Sequence, residues 1–294
     1  MSPAQGGTVV RLASFGLVTA DADALAAFYE ATLGCRRLAC ERRSGAQCLT
    51  LGLGREIIAL TQFDCPGRPY PRDTSCADLI FQHFAVVVTD MAAVYRRLTK
   101  IGGWRPISQG GPLRLPPRSG GVTAFKFRDP EGHPLELLAF PEHDVPPHWR
   151  ALSGDDPCLG IDHSAIGIAD SARSIAFYEN LGLRVVAQTL NHGPEQSLLD
   201  GLAAPVVEVT ALAPVHATPH IELLCYRPAT IDAGQEVRHD DIAATRLFLA
   251  THDLPRGPSD GARGEGLGRK TMLDPDGHRL LVGGAEVGGP PDAT

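Results

Sequence analysis

Ile161-Asp162-His163-Ser164-Ala165-Ile166-Gly167-Ile168-Ala169-Asp170 organises this chain, because it recurs. It runs on into Phe177-Tyr178-Glu179-Asn180-Leu181-Gly182. Near the start, Ser14-Phe15-Gly16-Leu17-Val18-Thr19-Ala20-Asp21 leads likewise to Phe28-Tyr29-Glu30 and Leu33-Gly34. The steps from His163 to Asp170 to Phe177 are seven and seven, as are those from Ser14 to Asp21 to Phe28. A third copy of the strand reads His83-Phe84-Ala85-Val86-Val87-Val88-Thr89-Asp90. The repeated unit is a strand, an Asp-capped turn and a helix. One polar strand position alternates between His and Ser while its scaffold persists, as in a site assembled by duplication.

Each copy has a physical reading. Arg11 to Val18 and Ile161 to Ile168 are apolar, β-rich runs of strand length. Asp21, Asp90 and Asp170 are N-cap residues whose carboxylates accept free amide hydrogens of the first helical turn. Leu25, Phe28, Tyr29 and Leu33 fall on one helical face, as do Val94, Leu98 and Ile101. Gly34, Gly102 and Gly182 stand where a left-handed C-cap is wanted. Leu183 to Leu190, Val206 to Leu212 and Ile221 to Tyr226 supply three further strands. Asp129-Pro130-Glu131-Gly132-His133-Pro134-Leu135-Glu136 matches Asp274-Pro275-Asp276-Gly277-His278-Arg279-Leu280-Leu281, a tight turn between antiparallel strands.

The chain therefore parses as an α+β protein of four βαβββ-like units, near 9–70, 80–141, 160–227 and 242–284. By sequence halves these form an N-terminal domain over 9–141 and a C-terminal domain over 160–284, with a Pro-rich linker over 142–159. A Gly/Pro-rich tail over 285–294 is expected to be disordered. The fourth unit is degenerate: from Asp253 to Asp274 there are 21 positions against 39 from Asp90 to Asp129. That span is too short and too rich in Pro and Gly for the helix.

Bulk properties narrow the function. The 294 residues carry a formal charge of −7, which argues against nucleic acid or an anionic membrane surface as partner. Met1-Ser2-Pro3-Ala4-Gln5 shows no signal pattern, and no apolar run is long enough to span a bilayer. Seven cysteines without a Cys-x-x-Cys pair read as reduced thiols. A cytoplasmic monomer or homodimer acting on a small molecule is expected.

The strand His with Asp seven later, the Phe-Tyr helix ending in Leu-Gly, and the Asp-Pro-x-Gly turn followed by a strand Glu together resemble the vicinal oxygen chelate superfamily. That group includes glyoxalase I, methylmalonyl-CoA epimerase, extradiol dioxygenases, and fosfomycin and bleomycin resistance proteins. The resemblance implies paired βαβββ units forming half-barrel cups, with metal ligands on the first and last strand of each unit. Carried over, those positions are Ser14 and Ala59 in the first unit, His83 and Glu136 in the second, His163 and Glu222 in the third, and Arg246 and Leu281 in the fourth. Both inner units keep His and Glu; both outer units have lost them.

Fused four-unit glyoxalases pair unit two with three and one with four, which gathers His83, Glu136, His163 and Glu222 into one site. Two-domain extradiol dioxygenases pair one with two and three with four, which leaves no complete site in either half. The joint loss of His and Glu favours the inner pairing, with pairing between subunits left open. Two imidazoles and two carboxylates suit one divalent ion (Fe2+, Mn2+, Ni2+ or Zn2+), leaving positions for substrate oxygens. The implied chemistry is proton removal beside a chelated carbonyl or hydroxyl through an enediolate, with Glu136 or Glu222 as general base.

The leading expectation is thus a metal-dependent isomerase or lyase acting on a small oxygenated substrate. Its rivals are a ferrous ring-cleaving dioxygenase, favoured by a three-ligand site with one Glu displaced, and a non-catalytic binding or resistance protein. His133 and His278 read as turn residues. His143, His148, His192, His216, His220, His239 and His252 read as solvated. The basic Gly/Pro stretch from Gly103 to Gly121 reads as a surface loop or a lid, and Gly193-Pro194-Glu195-Gln196 as a possible border of the site.

Overall fold

A computed structural model describes residues 8–43, 45–152, 156–216, 218–227, 236–251 and 270–284. The first unit comprises β1 (Val9–Val18), α1 (Ala22–Leu33), β2 (Arg36–Arg43), β3 (Ala46–Leu53) and β4 (Glu56–Phe63). The second comprises β5 (Gln82–Val88), α2 (Met91–Ile101), the short β6 (Arg105–Pro106) and β7 (Leu113–Arg114), β8 (Thr123–Arg128) and β9 (Pro134–Ala139). After a single-turn α3 (Pro147–Arg150), the third contains β10 (Cys158–Gly167), α4 (Ser171–Asn180), β11 (Arg184–His192), α5 (Pro194–Asp200), β12 (Val206–Ala213) and β13 (His220–Arg227). The fourth supplies β14 (Arg246–Thr251), β15 (Lys270–Leu273) and β16 (Arg279–Gly284). The span 252–269, where the helix is expected to be lost, and the tail 285–294 lie outside the described residues.

The three Asp caps behave as read: Ala24 N, Ala93 N and Arg173 N donate to Asp21, Asp90 and Asp170. Gly34 closes α1 in the left-handed region at φ 71°. Gly102 pairs positive φ with an extended ψ of −166°, and Leu181 rather than Gly182 caps α4, so only one of the three glycines makes the expected cap.

Two sheets result. One runs β15-β16-β14-β1-β4-β3-β2 and the other β11-β12-β13-β10-β5-β9-β8-β6, with β7 on β8. β1 joins β14 antiparallel, and β10 joins β5 antiparallel. Unit two therefore shares a sheet with unit three, and unit one with unit four. Each sequence half, 9–141 and 160–284, contributes one unit to each sheet. The linker contains α3, and β10 already begins at Cys158.

Alternation sorts the strands. Phe84, Val86, Phe125, Phe127, Leu135 and Leu137 turn towards the helices and join α1 and α2 in the main core. Their neighbours His83, Ala85, Lys126 and Glu136 face the concave side. Tyr29 OH donates to Asp129 Oδ2 at 2.6 Å, and His133 Nε2 lies 2.9 Å from Val18 O. The fourth unit repeats this latch: Tyr178 OH donates to Asp274 Oδ2 at 3.0 Å, and His278 Nε2 lies 2.7 Å from Gly167 O. The Phe-Tyr helix and the Asp-Pro-acid-Gly-His turn are thus two halves of one contact. It joins consecutive units through the helical layer while the sheets pair non-consecutive ones.

Candidate metal centre

Register places the four sequence-selected residues on one face of the inner cup. Ala85 pairs with Glu136 in β5/β9, and Ala165 pairs with Glu222 in β10/β13, so each Glu faces the residue two beyond its His. Across the central junction His83 pairs with Ala165 and His163 with Ala85, which sets the imidazoles diagonally, ring centroids 5.8 Å apart. The outer cup keeps the same register, Gly16 with Ala59 and Phe248 with Leu281. Ser14, Ala59, Arg246 and Leu281 therefore occupy the equivalent positions, and they do not form a ligand set.

His83, Glu136 and His163 are 3, 6 and 5% exposed, and one potential ligand atom from each lies within 4.8 Å of the others. His83 Nε2 lies 2.9 Å from Glu136 Oε2, a close approach without hydrogen-bond alignment. Both nitrogens of His83 and Nε2 of His163 have no hydrogen-bond partner among the described residues. Glu222 stands outside this close triad, with Oε2 3.6 Å from His163 Nε2 and its side chain 24% exposed.

Burial holds His83 below the usual imidazole range and outweighs the opposing pull of Glu136. Burial also opposes a charge on His163, but Glu222 and Asp162 outweigh it and raise the ring to about 9. The two carboxylates remain ionised despite burial. His83 and Lys126 hold Glu136 down, and His163 and His220 hold Glu222 down.

Three contributors escaped the sequence reading. Asp162 Oδ2 lies 3.0 Å from His163 Nδ1, while Asp162 Oδ1 accepts from Trp149 Nε1 at 3.0 Å. A β-bulge between Ile161 and His163 lets these adjacent polar residues meet; two neighbouring polar residues in an otherwise apolar strand were its signal. His220, expected to be solvated, instead borders the site with Nε2 3.6 Å from Glu222 Oε1. Lys126 Nζ contacts Asp200 Oδ1 at 2.8 Å, and Asp200 Oδ2 also accepts from Tyr226 OH and Gln196 Nε2. The alternation Ala124-Phe125-Lys126-Phe127-Arg128 already put both cations on the concave face.

The flanking stretches follow. α5 carries Gln196 and Asp200 over the cup, so the Gly193–Gln196 segment borders the closing network. The Gly103–Gly121 stretch braces α5 through Leu115 and Leu199 and through Arg118 Nη2 donating to His192 O. His133 and His278 are turn residues, both buried. His143, His148, His192, His216 and His239 are exposed, and His252 lies outside the described residues.

A family model for the Glyoxalase/Bleomycin resistance protein/Dioxygenase superfamily matches residues 11–137. Over those residues the chain is similar to members of that superfamily. The matched stretch covers units one and two, which are sequential but lie in different sheets. No curated protein matches it. Glyoxalase I from Zea mays aligns at a TM-score of 0.61 and 17% identity, covering 93% of this chain and 92% of that one. A putative dioxygenase from Bacillus subtilis subsp. subtilis str. 168 aligns at 0.60 and 13% identity, over 96% of this chain and 87% of that one. At these identities the likeness is one of fold.

Proposed function

We propose that the inner cup is the active site of a metal-dependent isomerase or lyase acting on a small oxygenated substrate, with His83, Glu136, His163 and Glu222 holding one divalent ion. The carrying observation is the convergence of two buried imidazoles, each with a nitrogen that lacks a hydrogen-bond partner, on the Glu136 carboxylate, with Glu222 3.6 Å from His163. Buried polar atoms are normally satisfied, and this donor set fits Fe2+, Mn2+, Ni2+ or Zn2+. When bound, such an ion supplies Lewis acidity towards neighbouring substrate oxygens.

The protein's own residues divide the remaining work. Asp162 accepts from His163 Nδ1, which reserves Nε2 for the cup. Glu136 is pinned between His83 and the charge of Lys126. Glu222 is the more exposed carboxylate and stands off the close triad, so it is the better placed to accept a proton from substrate carbon. The Lys126–Asp200–Tyr226 network borders one side of the cup.

Metal content of protein purified without chelator or affinity-tag metal, measured by inductively coupled plasma mass spectrometry, tests this reading. About one ion per chain, lost in both His83→Ala and His163→Ala, is expected for two units sharing one site. No metal after reconstitution with any of the four ions would end the metal reading and leave a binding cup. A second reading, a ferrous ring-cleaving dioxygenase, draws on the close triad of two His and one carboxylate with Glu222 displaced. Oxygen uptake with catechols by the iron-loaded protein would select it.

Among the described residues no helix is long and apolar enough to cross a membrane. A small molecule as substrate and a monomer or homodimer as the working form are part of the same proposal.

A further inference from the structure

A cavity of about 280 Å³ lies where the connection before β5 meets β6, β8 and the end of α5, and three of its walls are Arg72, Arg105 and Arg128. Arg128 is only 5% exposed. Its Nη1 donates to Gly132 O at 2.9 Å and its Nη2 to Thr74 O at 2.7 Å, and the guanidinium lies 5.2 Å from the centre of the Tyr70 ring. All of these partners are neutral. Among the described residues no carboxylate forms an ion pair with Arg128, Arg72 or Arg105, whereas nine other arginines have one. The acid in the cavity wall, Asp200, is already committed to Lys126, Tyr226 and Gln196.

A buried cation without a counter-charge is costly. Here it stands beside two further arginines in a chain of net charge −7, so the local charge runs against the global field. The cavity floor is polar, with Thr74 and Ser75 beside the thiol of Cys76. Guanidinium forks match the paired oxygens of phosphate and carboxylate. We infer that this cavity is a binding site for the oxyanion group, phosphate or carboxylate, of a small molecule. It is separate from the ligand cluster: Arg128 lies two residues beyond Lys126 on β8, Lys126 pairs with Glu136, and no residue of that cluster lines the cavity. The site therefore stands or falls independently of the metal.

Calorimetric titration of the full chain, stripped of metal and at low ionic strength, tests it with inorganic phosphate in one arm and succinate in the other. Saturable binding is expected in at least one arm, and the stronger arm identifies the oxyanion class. The exposed pair Arg72→Gln/Arg105→Gln leaves Arg128 and its carbonyl bonds in place. It should weaken binding by about tenfold or more, as expected for losing charged hydrogen-bond partners, with the thermal midpoint unchanged. His163→Ala should bind the anion as the parent does. No saturable heat in either arm, equal affinity in the arginine variant, or loss of binding in His163→Ala would each overturn the site.

Discussion

His163 Nδ1 and Asp162 Oδ2 lie 3.0 Å apart, so the carboxylate fixes which imidazole nitrogen faces the cup. Trp149, from the short helix between the two sequence halves, holds the other oxygen of Asp162. A carboxylate behind a ligating His sets its tautomer and ring orientation. Asp162→Asn should lower the affinity for the reconstituting ion by about 10- to 100-fold while the folded protein persists. Metal titration followed by equilibrium dialysis reads the affinity, and circular dichroism checks the fold. An unchanged affinity would show that His163 needs no such support.

The Tyr29 latch makes a separate prediction about stability. Tyr29→Phe removes the 2.6 Å bond to Asp129 and leaves a buried carboxylate oxygen with only His133. The cost should be about 1–3 kcal/mol, read as a lower denaturant midpoint at unchanged slope, with metal content intact. Tyr178→Phe should act similarly through Asp274, and the two effects should add because they lie in separate latches.

Lys126 and Asp200 are both buried, at 4 and 3% exposure. Lys126→Met leaves Asp200 without its counter-charge and should destabilise by about 3–5 kcal/mol. The double variant Lys126→Met/Asp200→Asn, which keeps an acceptor for Tyr226 and Gln196, should recover most of that loss. If the double variant is as unstable as the single one, packing rather than charge pairing is what the lysine supplies.

Glu56 predicts a pH effect on stability. Burial raises its carboxyl to about 7 against the backbone amide of Ile161 that donates to it at 3.1 Å. The folded form thus holds a proton that the unfolded chain releases near 4.5. Stability from this group is complete below about 4.5 and is lost as pH rises through about 7. Because the side chain keeps some solvent contact, the change should be about 1–2 kcal/mol. Chemical denaturation from pH 5 to pH 8 should show the decline, and Glu56→Gln should flatten it. A parallel decline in both proteins would assign the effect to other groups.

Much of this architecture could be read from local sequence. The Asp caps, the Asp-Pro-acid-Gly turns and the alternation of strands such as His83-Phe84-Ala85-Val86 depend on neighbours a few residues apart. Such neighbours fix backbone dihedrals and decide which face a side chain takes. The equivalence of His163, His83 and Ser14 follows from the same periodicity, Arg246 is added by the family resemblance, and the strand registers agree with all four. What that periodicity could not set was distance across the chain. The junction of β5 with β10, the displacement of Glu222 from the close triad, the approach of His220 to His163 and the clasp of Asp200 on Lys126 all join segments far apart in sequence. They depend on sheet curvature, one bulge at Asp162 and the seating of α5, which emerge only when the two sheets close around a common helical core.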